Sequence, residues 1–138
     1  MTRAYLIVEG SGALFALSQD AVREIVPARH FTRLPGAPAA VRGLLNVRGT
    51  LVPVLDLGAR FGHGRAGGGE GSVVIGVTEG RALGLLVDDV HEVSEFADRD
   101  FVPPGAEVTD TAVMGLGHFG DRIVLAVDLQ ELARQTLA

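Results

Sequence analysis

The sequence of 138 residues contains no cysteine and no tryptophan, and only 5% of its residues are aromatic. Without cysteine, the chain can form neither a disulfide framework nor a thiolate metal site. Because 47% of the residues are apolar and few of these are aromatic, the core must be built from Val, Leu and Ile. A charged share of 21% and this chain length indicate one globular domain spanning residues 1–138.

The sequence also lacks an excess of positive charge and any long apolar run. Its net charge of −5 is too acidic for a general nucleic-acid-binding protein, which must neutralise phosphates. No apolar stretch approaches the roughly 20 residues that span a bilayer. The first apolar run, residues 5–8, is too short for a signal peptide. We therefore expect a cytoplasmic protein with no nucleic-acid partner and no direct membrane insertion.

Recognisable catalytic constellations are missing as well. The four histidines have no metal-ligand spacing, and no serine lies in a nucleophile elbow. A Gly-x-Gly-x-x-Gly match at Gly115, Gly117 and Gly120 is followed by a second apolar strand, whereas a dinucleotide site needs a helix there. We therefore predict that the protein is not an enzyme and takes neither a cofactor nor a metal ion.

Short apolar runs rich in Val and Leu alternate with glycine-bearing turns, which is typical of a β-protein. The predicted strands are residues 4–8, 14–17, 44–47, 51–55, 73–77, 83–87, 91–96, 113–116 and 123–127. Neighbours joined by a few turn residues are expected to be antiparallel. Helices are predicted over residues 18–26, with Ser18 or Asp20 as the N-cap, and over residues 128–138, with Asp128 as the N-cap. A further helical turn is predicted after Asp56.

Glycine is concentrated in one segment, residues 62–71, where six of ten residues are glycine. This composition predicts a flexible surface loop. The loop divides the strands into an earlier group of four or five and a later group of about five, which suggests two small sheets or barrels within one compact unit. Whether strands are exchanged between the two groups stays open at this point.

Three groups of residues occur in an order that is hard to produce by chance. The first group is Val22, Glu24, Ile25, Pro35, Gly43, Asn46, Arg48, Gly49, Pro53, Val54, Asp56 and Leu57. The second is Gly84, Val87, Asp88, Val90, Glu92 and Val93, and the third is Gly115, Ile123, Asp128 and Leu129. With these residues, nearly the whole chain resembles the CheW family, the coupling proteins of bacterial chemosensory arrays.

The resemblance implies an all-β fold with short helices, in which two SH3-like five-stranded β-barrel lobes pack on a shared hydrophobic core. It also implies a non-enzymatic chemotaxis adaptor. Such a scaffold couples the cytoplasmic tip of a chemoreceptor, a methyl-accepting chemotaxis protein, to the regulatory domain of the histidine kinase CheA. The protein would then be recruited from the cytoplasm to membrane-associated chemoreceptor arrays.

The resemblance further implies roles for individual residues. Arg48 matches an arginine near the receptor-binding groove of the family, although it could instead pair with Asp56, Glu24 or a backbone carbonyl to stabilise its hairpin. Val22 and Glu24, expected on the helix over residues 18–26, are also assigned to the receptor. As an alternative, Val22 and Ile25 would form the buried face of that helix, with Glu24 solvated.

Val73 and Val74 match positions at subunit interfaces of the family and are assigned to the kinase. They could equally belong to the core. Because adjacent residues of a strand point to opposite faces, at most one of them needs to be exposed.

Two other functions remain open. The same scaffold could serve a type IV pilus or another chemosensory pathway. A free-standing sensor that binds a small ligand between the lobes is a more distant alternative, which a metabolite-induced rise in thermal stability would favour.

Overall fold

The structure is a computed structural model that describes residues 1–64 and 71–137. The described chain forms ten strands and two short α-helices. The strands are β1 Thr2–Gly10, β2 Ala13–Ser18, β3 Val22–Pro27, β4 Val41–Val47, β5 Thr50–Asp56, β6 Ser72–Thr78, β7 Arg81–Val87, β8 Asp89–Ala97, β9 Val113–Phe119 and β10 Arg122–Val127. The helices are α1 Leu57–Arg60 and α2 Leu129–Leu137, and single 3-10 turns lie at Gln19–Ala21 and Asp98–Asp100.

The ten strands form two five-stranded sheets. The first sheet has the order β8-β1-β2-β10-β9 and the second has the order β3-β6-β7-β5-β4; we call them lobe 1 and lobe 2. The pairs β2–β10 and β5–β7 are parallel, and the other pairs are antiparallel. The predicted all-β fold with two five-stranded units is confirmed.

The glycine-rich segment does not separate the two lobes. Lobe 2 is a continuous insertion, residues 22–87, between β2 and β8 of lobe 1. Each lobe therefore combines strands from before and after residues 62–71, which answers the open question of strand exchange. The prediction that residues 62–71 form a flexible loop concerns mainly residues 65–70, which lie outside the described residues.

The main core lies between the two lobes, and each lobe adds a smaller core of its own. Alternate residues of a single strand point to opposite faces and so contribute to two different cores. On β1, Leu6 and Val8 face the shared core, whereas Tyr5 and Ile7 face the core of lobe 1. Because such strands are covered on both faces, they read as continuous apolar runs. The shared core also holds Phe15, Leu57, Leu85 and Leu132, all almost fully buried.

One part of the structural plan is repeated in the two lobes: β9, β10 and α2 follow β4, β5 and α1 with an offset of 72 residues. Asp56 caps α1 by accepting a hydrogen bond from the Ala59 amide (3.2 Å), and Asp128 caps α2 by accepting one from the Glu131 amide (3.1 Å). The amides of these two aspartates in turn donate to the carbonyls of Ala40 and Ala112, each at 2.8 Å. Both predicted helix starts, after Asp56 and at Asp128, are confirmed.

The helix predicted over residues 18–26 is wrong. Only Gln19–Ala21 form a 3-10 turn, and β3 follows directly. Val22 and Ile25 have a helix-like spacing, but β-branched side chains favour a strand that pairs with β6. A bulge between Val22 and Glu24 shifts the register of this pair. As a result Ile25 is exposed and Glu24 is partly buried, which reverses the alternative predicted for them.

In the described residues 1–64 and 71–137, no helix is long and apolar enough to cross a membrane.

Candidate interaction surface

Arg48 lies in the tight turn between β4 and β5. Its φ of 49° and the φ of 86° at Gly49 are the left-handed pair that a type I′ hairpin turn requires. The Asn46 side chain stabilises the turn by accepting a hydrogen bond from the Gly49 amide at 2.8 Å. The Arg48 side chain is 73% exposed, so the hairpin presents a guanidinium to solvent.

Arg48 forms a two-pronged ion pair with Glu24 of β3. One guanidinium nitrogen donates to Glu24 Oε1 at 2.9 Å, and the other contacts Glu24 Oε2. Hydrogen bonding to Arg48 is the main reason that the Glu24 pKa is lowered, with the Arg48 and Arg23 charges adding to it. The Arg48 pKa is raised for the same reason. Of the pairings considered for Arg48, the structure therefore shows the one with Glu24.

Val22 lies on the other side of the same strand from the exposed positions. It is partly buried against the shared core, so only part of its side chain is accessible. The structure brings Glu24 and Arg48 into direct contact, and Val22 lies two residues before Glu24 on β3.

A groove of about 450 Å³ runs between the lobes next to this region. It is lined from lobe 1 by Arg3, Ser18, Met114, Val127, Asp128, Leu129 and Gln130, and from the connection and lobe 2 by Asp20, Ala21, Val77, Thr78 and Glu79. Val77 also lines the small pocket of about 200 Å³ beside Arg48 and Glu24. The groove and the pocket beside the Arg48 turn share Val77 as a lining residue, and we call the two together the inter-lobe surface.

The wall of this groove is stabilised by an ion pair from α2 to the β6–β7 turn. Arg134 Nε lies 2.9 Å from Glu79 Oε1. This hydrogen bond is the main cause of the lowered Glu79 pKa, and Gln130 contributes a second one.

Val73 and Val74 are both fully buried in the middle of lobe 2. Val73 lies in the lobe 2 core and Val74 in the shared core. Their strand, β6, is covered on both edges by β3 and β7. A kinase contact through these side chains therefore finds no exposed surface. They also lie in lobe 2, the lobe that carries Arg48.

An exposed apolar face on β9 and β10 of lobe 1 was not predicted from the sequence. Met114, Leu116 and Ile123 are 43%, 46% and 62% exposed, and Leu116 and Ile123 line a groove of about 530 Å³. The signal was present, because β9 alternates glycine with larger residues. Gly115 and Gly117 face inward, where a Cβ on Gly117 would lie 2.9 Å from the Phe101 ring. The Gly-x-Gly-x-x-Gly match thus lies in a hairpin, as predicted.

Among the described residues, no group of three or more His, Asp or Glu side chains is placed to hold a metal ion. His91 contacts Glu9 at 2.9 Å and stacks beside Phe119, and His63 packs edge-on against Phe15. Both histidines therefore make contacts with neighbouring side chains of the fold.

Comparison with known proteins identifies the family that the sequence resembles. A family model described as "CheW-like domain" matches residues 4–137. The chemotaxis protein CheW of Klebsiella aerogenes is 33% identical over 115 residues, 80% of this chain and 69% of that protein. The CheW of Rhizobium meliloti is 39% identical over 90 residues, 64% of this chain and 58% of that protein.

Among solved structures, the chain is similar to the scaffolding protein TtCheW from Thermoanaerobacter tengcongensis. The TM-score is 0.83 and the identity 32%, over 96% of this chain and 92% of that one. With a family match that spans both lobes and a shared fold at this identity, the chain belongs to the CheW-like domain family.

Proposed function

We propose that this protein is a non-enzymatic chemosensory adaptor that couples the cytoplasmic tip of a chemoreceptor to the regulatory domain of the histidine kinase CheA. The observation that carries the proposal is the match to the family along both lobes, residues 4–137. The surface supports it, because the exposed features are apolar strand faces and ion pairs, which suit protein partners. The protein acts in the cytoplasm, at membrane-associated receptor arrays.

The receptor is proposed to bind the inter-lobe surface through Arg48, Glu24 and the accessible part of Val22. Arg48 is exposed and its guanidinium is oriented by Glu24, so little side-chain freedom is lost when a partner docks. The adjoining groove offers Met114 and Val77 together with charged groups at its rim. An elongated partner could contact both.

The kinase contact is proposed for the part of the exposed apolar face of β9 and β10 that Leu116 and Ile123 form, rather than for Val73 and Val74. Leu116 and Ile123 supply accessible apolar area on the outer face of the β9–β10 hairpin. An apolar patch with polar neighbours such as Arg122 and His118 is the usual composition of a protein interface.

Paired titrations test both assignments. Wild type, Arg48→Glu and Ile123→Ser are each titrated against a receptor cytoplasmic fragment and against the kinase regulatory domain. Loss of an interface arginine costs about 2 kcal/mol, so Arg48→Glu should weaken receptor binding by roughly thirtyfold and leave kinase binding within a few-fold. Ile123→Ser should show the opposite pattern. Equal losses for both partners, with a lower melting temperature, would mean that the substituted residue is structural.

A further inference from the structure

The loop between β3 and β4, residues 28–40, combines positive charge with a preformed cleft. The cleft has a volume of about 550 Å³, and Phe31, Arg33, Leu34, Pro38, Val41 and Arg42 are among the residues that line it. This volume is within the range of known ligand pockets. The Arg42 guanidinium lies 5.9 Å from the Phe31 ring centre, so one wall is both cationic and aromatic.

The backbone of this loop is held in place by hydrogen bonds. Thr32 and Leu44 exchange two of them, at 2.9 and 2.8 Å, and Val41 donates to the Pro38 carbonyl at 2.9 Å. Gly43 lets the loop approach β4 closely, because a Cβ there would lie 2.3 Å from the Thr32 carbonyl oxygen. A cleft organised in this way loses little entropy when it binds a ligand.

The matching loop of lobe 1 has the same construction and the opposite charge. Val102 and Leu116 exchange the same two hydrogen bonds, and Val113 donates to Asp110 as Val41 does to Pro38. Both loops contain Pro-Gly-Ala, at 35–37 and 104–106. The lobe 1 loop carries Glu107 and Asp110 and no arginine between residues 101 and 112, whereas the lobe 2 loop carries Arg29, His30 and Arg33. The fold therefore does not require arginine at these positions.

The charge of the loop belongs to a wider asymmetry between the lobes. In the described part of lobe 2, residues 22–64 and 71–87, seven arginines and three carboxylates give +4. In lobe 1, residues 1–18 and 88–137, four arginines and twelve carboxylates give −8. No Asp or Glu occurs from residue 25 to residue 55.

Most lobe 2 arginines outside this loop already have an acceptor. Arg48 pairs with Glu24, Arg60 with Asp110, and Arg81 donates to the Leu137 carbonyl. Arg42 lies 3.6 Å from Asp56. Within the described residues, Arg23, Arg29 and Arg33 have no ion pair, and all three are exposed. Two of these three arginines, Arg29 and Arg33, lie in the loop over residues 28–40, and Arg33 lines the cleft itself.

From this cleft we propose a second docking site, distinct from the inter-lobe surface, that binds an acidic segment of a partner protein. Arg33 would contact a carboxylate of the segment, and Phe31 and the exposed Leu34 would contact an apolar neighbour of that carboxylate. The acidic surface of lobe 1 disfavours docking of the same segment there, so the charge of the molecule directs it to lobe 2.

The test uses a fluorescein-labelled peptide of Glu and Asp residues around one Leu, with a Gln and Asn version as the neutral probe. Arg33→Glu should weaken binding of the acidic peptide about tenfold or more at low salt. Arg99→Glu is the matched control, because it makes the same charge change at an exposed site of lobe 1, and it should change binding less than twofold. Arg33→Gln, a milder change, should give an intermediate loss, and melting curves of all variants verify that they fold.

Several outcomes would overturn the proposal. Equal weakening by Arg33→Glu and Arg99→Glu would show attraction by net charge only. If the neutral probe binds as tightly as the acidic peptide, the site does not recognise acidic side chains. If inorganic phosphate displaces the labelled peptide at the same concentration as unlabelled peptide does, the site binds anions in general and not an acidic segment. Binding only to phosphatidylglycerol vesicles, or only to a second copy of this chain in sedimentation experiments, would assign the site to that occupant instead. Because Arg48 is already paired with Glu24, Arg48→Glu should leave peptide binding within about twofold, so this test is independent of the receptor assignment.

Discussion

Arg48 occupies a backbone conformation that costs a residue with a side chain roughly 1 kcal/mol. Ser11 and Glu79 share this conformation, with φ near 50°, and each of the three is followed by a glycine with positive φ. Each also makes a side-chain contact beyond its own hairpin: Ser11 Oγ donates to the Gly64 carbonyl, and Glu79 accepts from Arg134. The turn positions where glycine or asparagine would be easiest thus carry side chains that connect separate elements.

Arg48→Gly separates the strain of the turn from the role of the side chain. Glycine relieves the left-handed backbone but loses the exposed ion pair with Glu24, and these small effects oppose each other. We expect the free energy of unfolding to change by less than about 0.5 kcal/mol in urea titrations, while receptor binding falls as for Arg48→Glu. A large loss of stability would show that the ion pair mainly stabilises the hairpin.

Gly43→Ala should be severely destabilising. The φ of Gly43 is 143°, and an added Cβ would lie 2.3 Å from the Thr32 carbonyl oxygen. Displacing backbone in this way costs about 1–3 kcal/mol, which chemical denaturation would detect. Gly105→Ala is the control, because the nearest atoms to its Cβ belong to the flexible Glu107 carboxylate, at 3.2 Å. A similar cost for both substitutions would contradict the steric explanation.

At the scale of elements, α2 is tied to its neighbours at both ends. Asp128 caps its first turn, and Arg134 and Gln135 reach Glu79 and Thr111. Replacing an N-cap aspartate by alanine typically costs about 1 kcal/mol. We expect this loss for Asp128→Ala in thermal unfolding, and little change for Asp121→Ala, which lies in the exposed β9–β10 turn. An unchanged melting temperature for Asp128→Ala would mean that packing alone holds the helix.

Asp110 links elements of both lobes and should make their association sensitive to acid. Its carboxylate receives two hydrogen bonds from Arg60, at 2.8 and 3.1 Å. The hydrogen bonds from Arg60 are the main reason that its pKa is lowered from 3.8. A carboxyl group whose pKa is lowered by folding contributes stability above its unfolded pKa and loses this contribution as the pH falls through the folded value.

Asp110→Asn should therefore cost about 1 kcal/mol near pH 7, allowing for the partial solvent exposure of the pair. The difference from wild type should shrink as the pH falls below 3.8, the ordinary pKa of the group. Urea titrations of both proteins from pH 7 to acid measure it. A difference that stays constant with pH would mean that charge is not involved.

The sequence predicted most elements because their signals are local. The apolar runs of β1, β2, β6 and β7 and the aspartate caps of both helices could be read directly. For β3 the local signal was ambiguous, because Val22 and Ile25 fit a helix face and only the pairing with β6 decides. The Arg48–Glu24 contact depends on that same pairing, so the error on β3 also obscured the site.

The burial of Val73 and Val74 could not be read from their positions in the sequence. An exposed strand and a central strand with cores on both faces can have the same composition. The two cases differ in which strands pair with β6. These are β3, residues 22–27, which is distant in the sequence, and β7, residues 81–87. On β9, by contrast, the alternation of glycine with Met114 and Leu116 carried a usable signal for an exposed face.

At the scale of the whole molecule, the shared core makes the lobes dependent on each other. Val74, Leu85 and Val87 of lobe 2 pack with Leu6, Phe15 and Leu132 of lobe 1. A fragment of residues 22–87 would expose this apolar surface to water. We expect the fragment to show no cooperative thermal transition and to bind a hydrophobic dye, whereas a sharp transition in calorimetry would establish an independent domain.

The insertion of lobe 2 into lobe 1 also orders events during translation. Strands β1 and β2 leave the ribosome before the other eight described strands, and the strands that cover the outer edges of this pair, β8 and β10, begin at residues 89 and 122. At about 5–20 residues per second, the two strands wait several seconds with apolar faces uncovered, while lobe 2 already has all of its strands once residue 87 is made. The nascent chain thus carries the apolar β1–β2 pair uncovered while lobe 2 is synthesised, and a trapped synthesis intermediate should be captured by chaperones through residues 5–8 and 14–17.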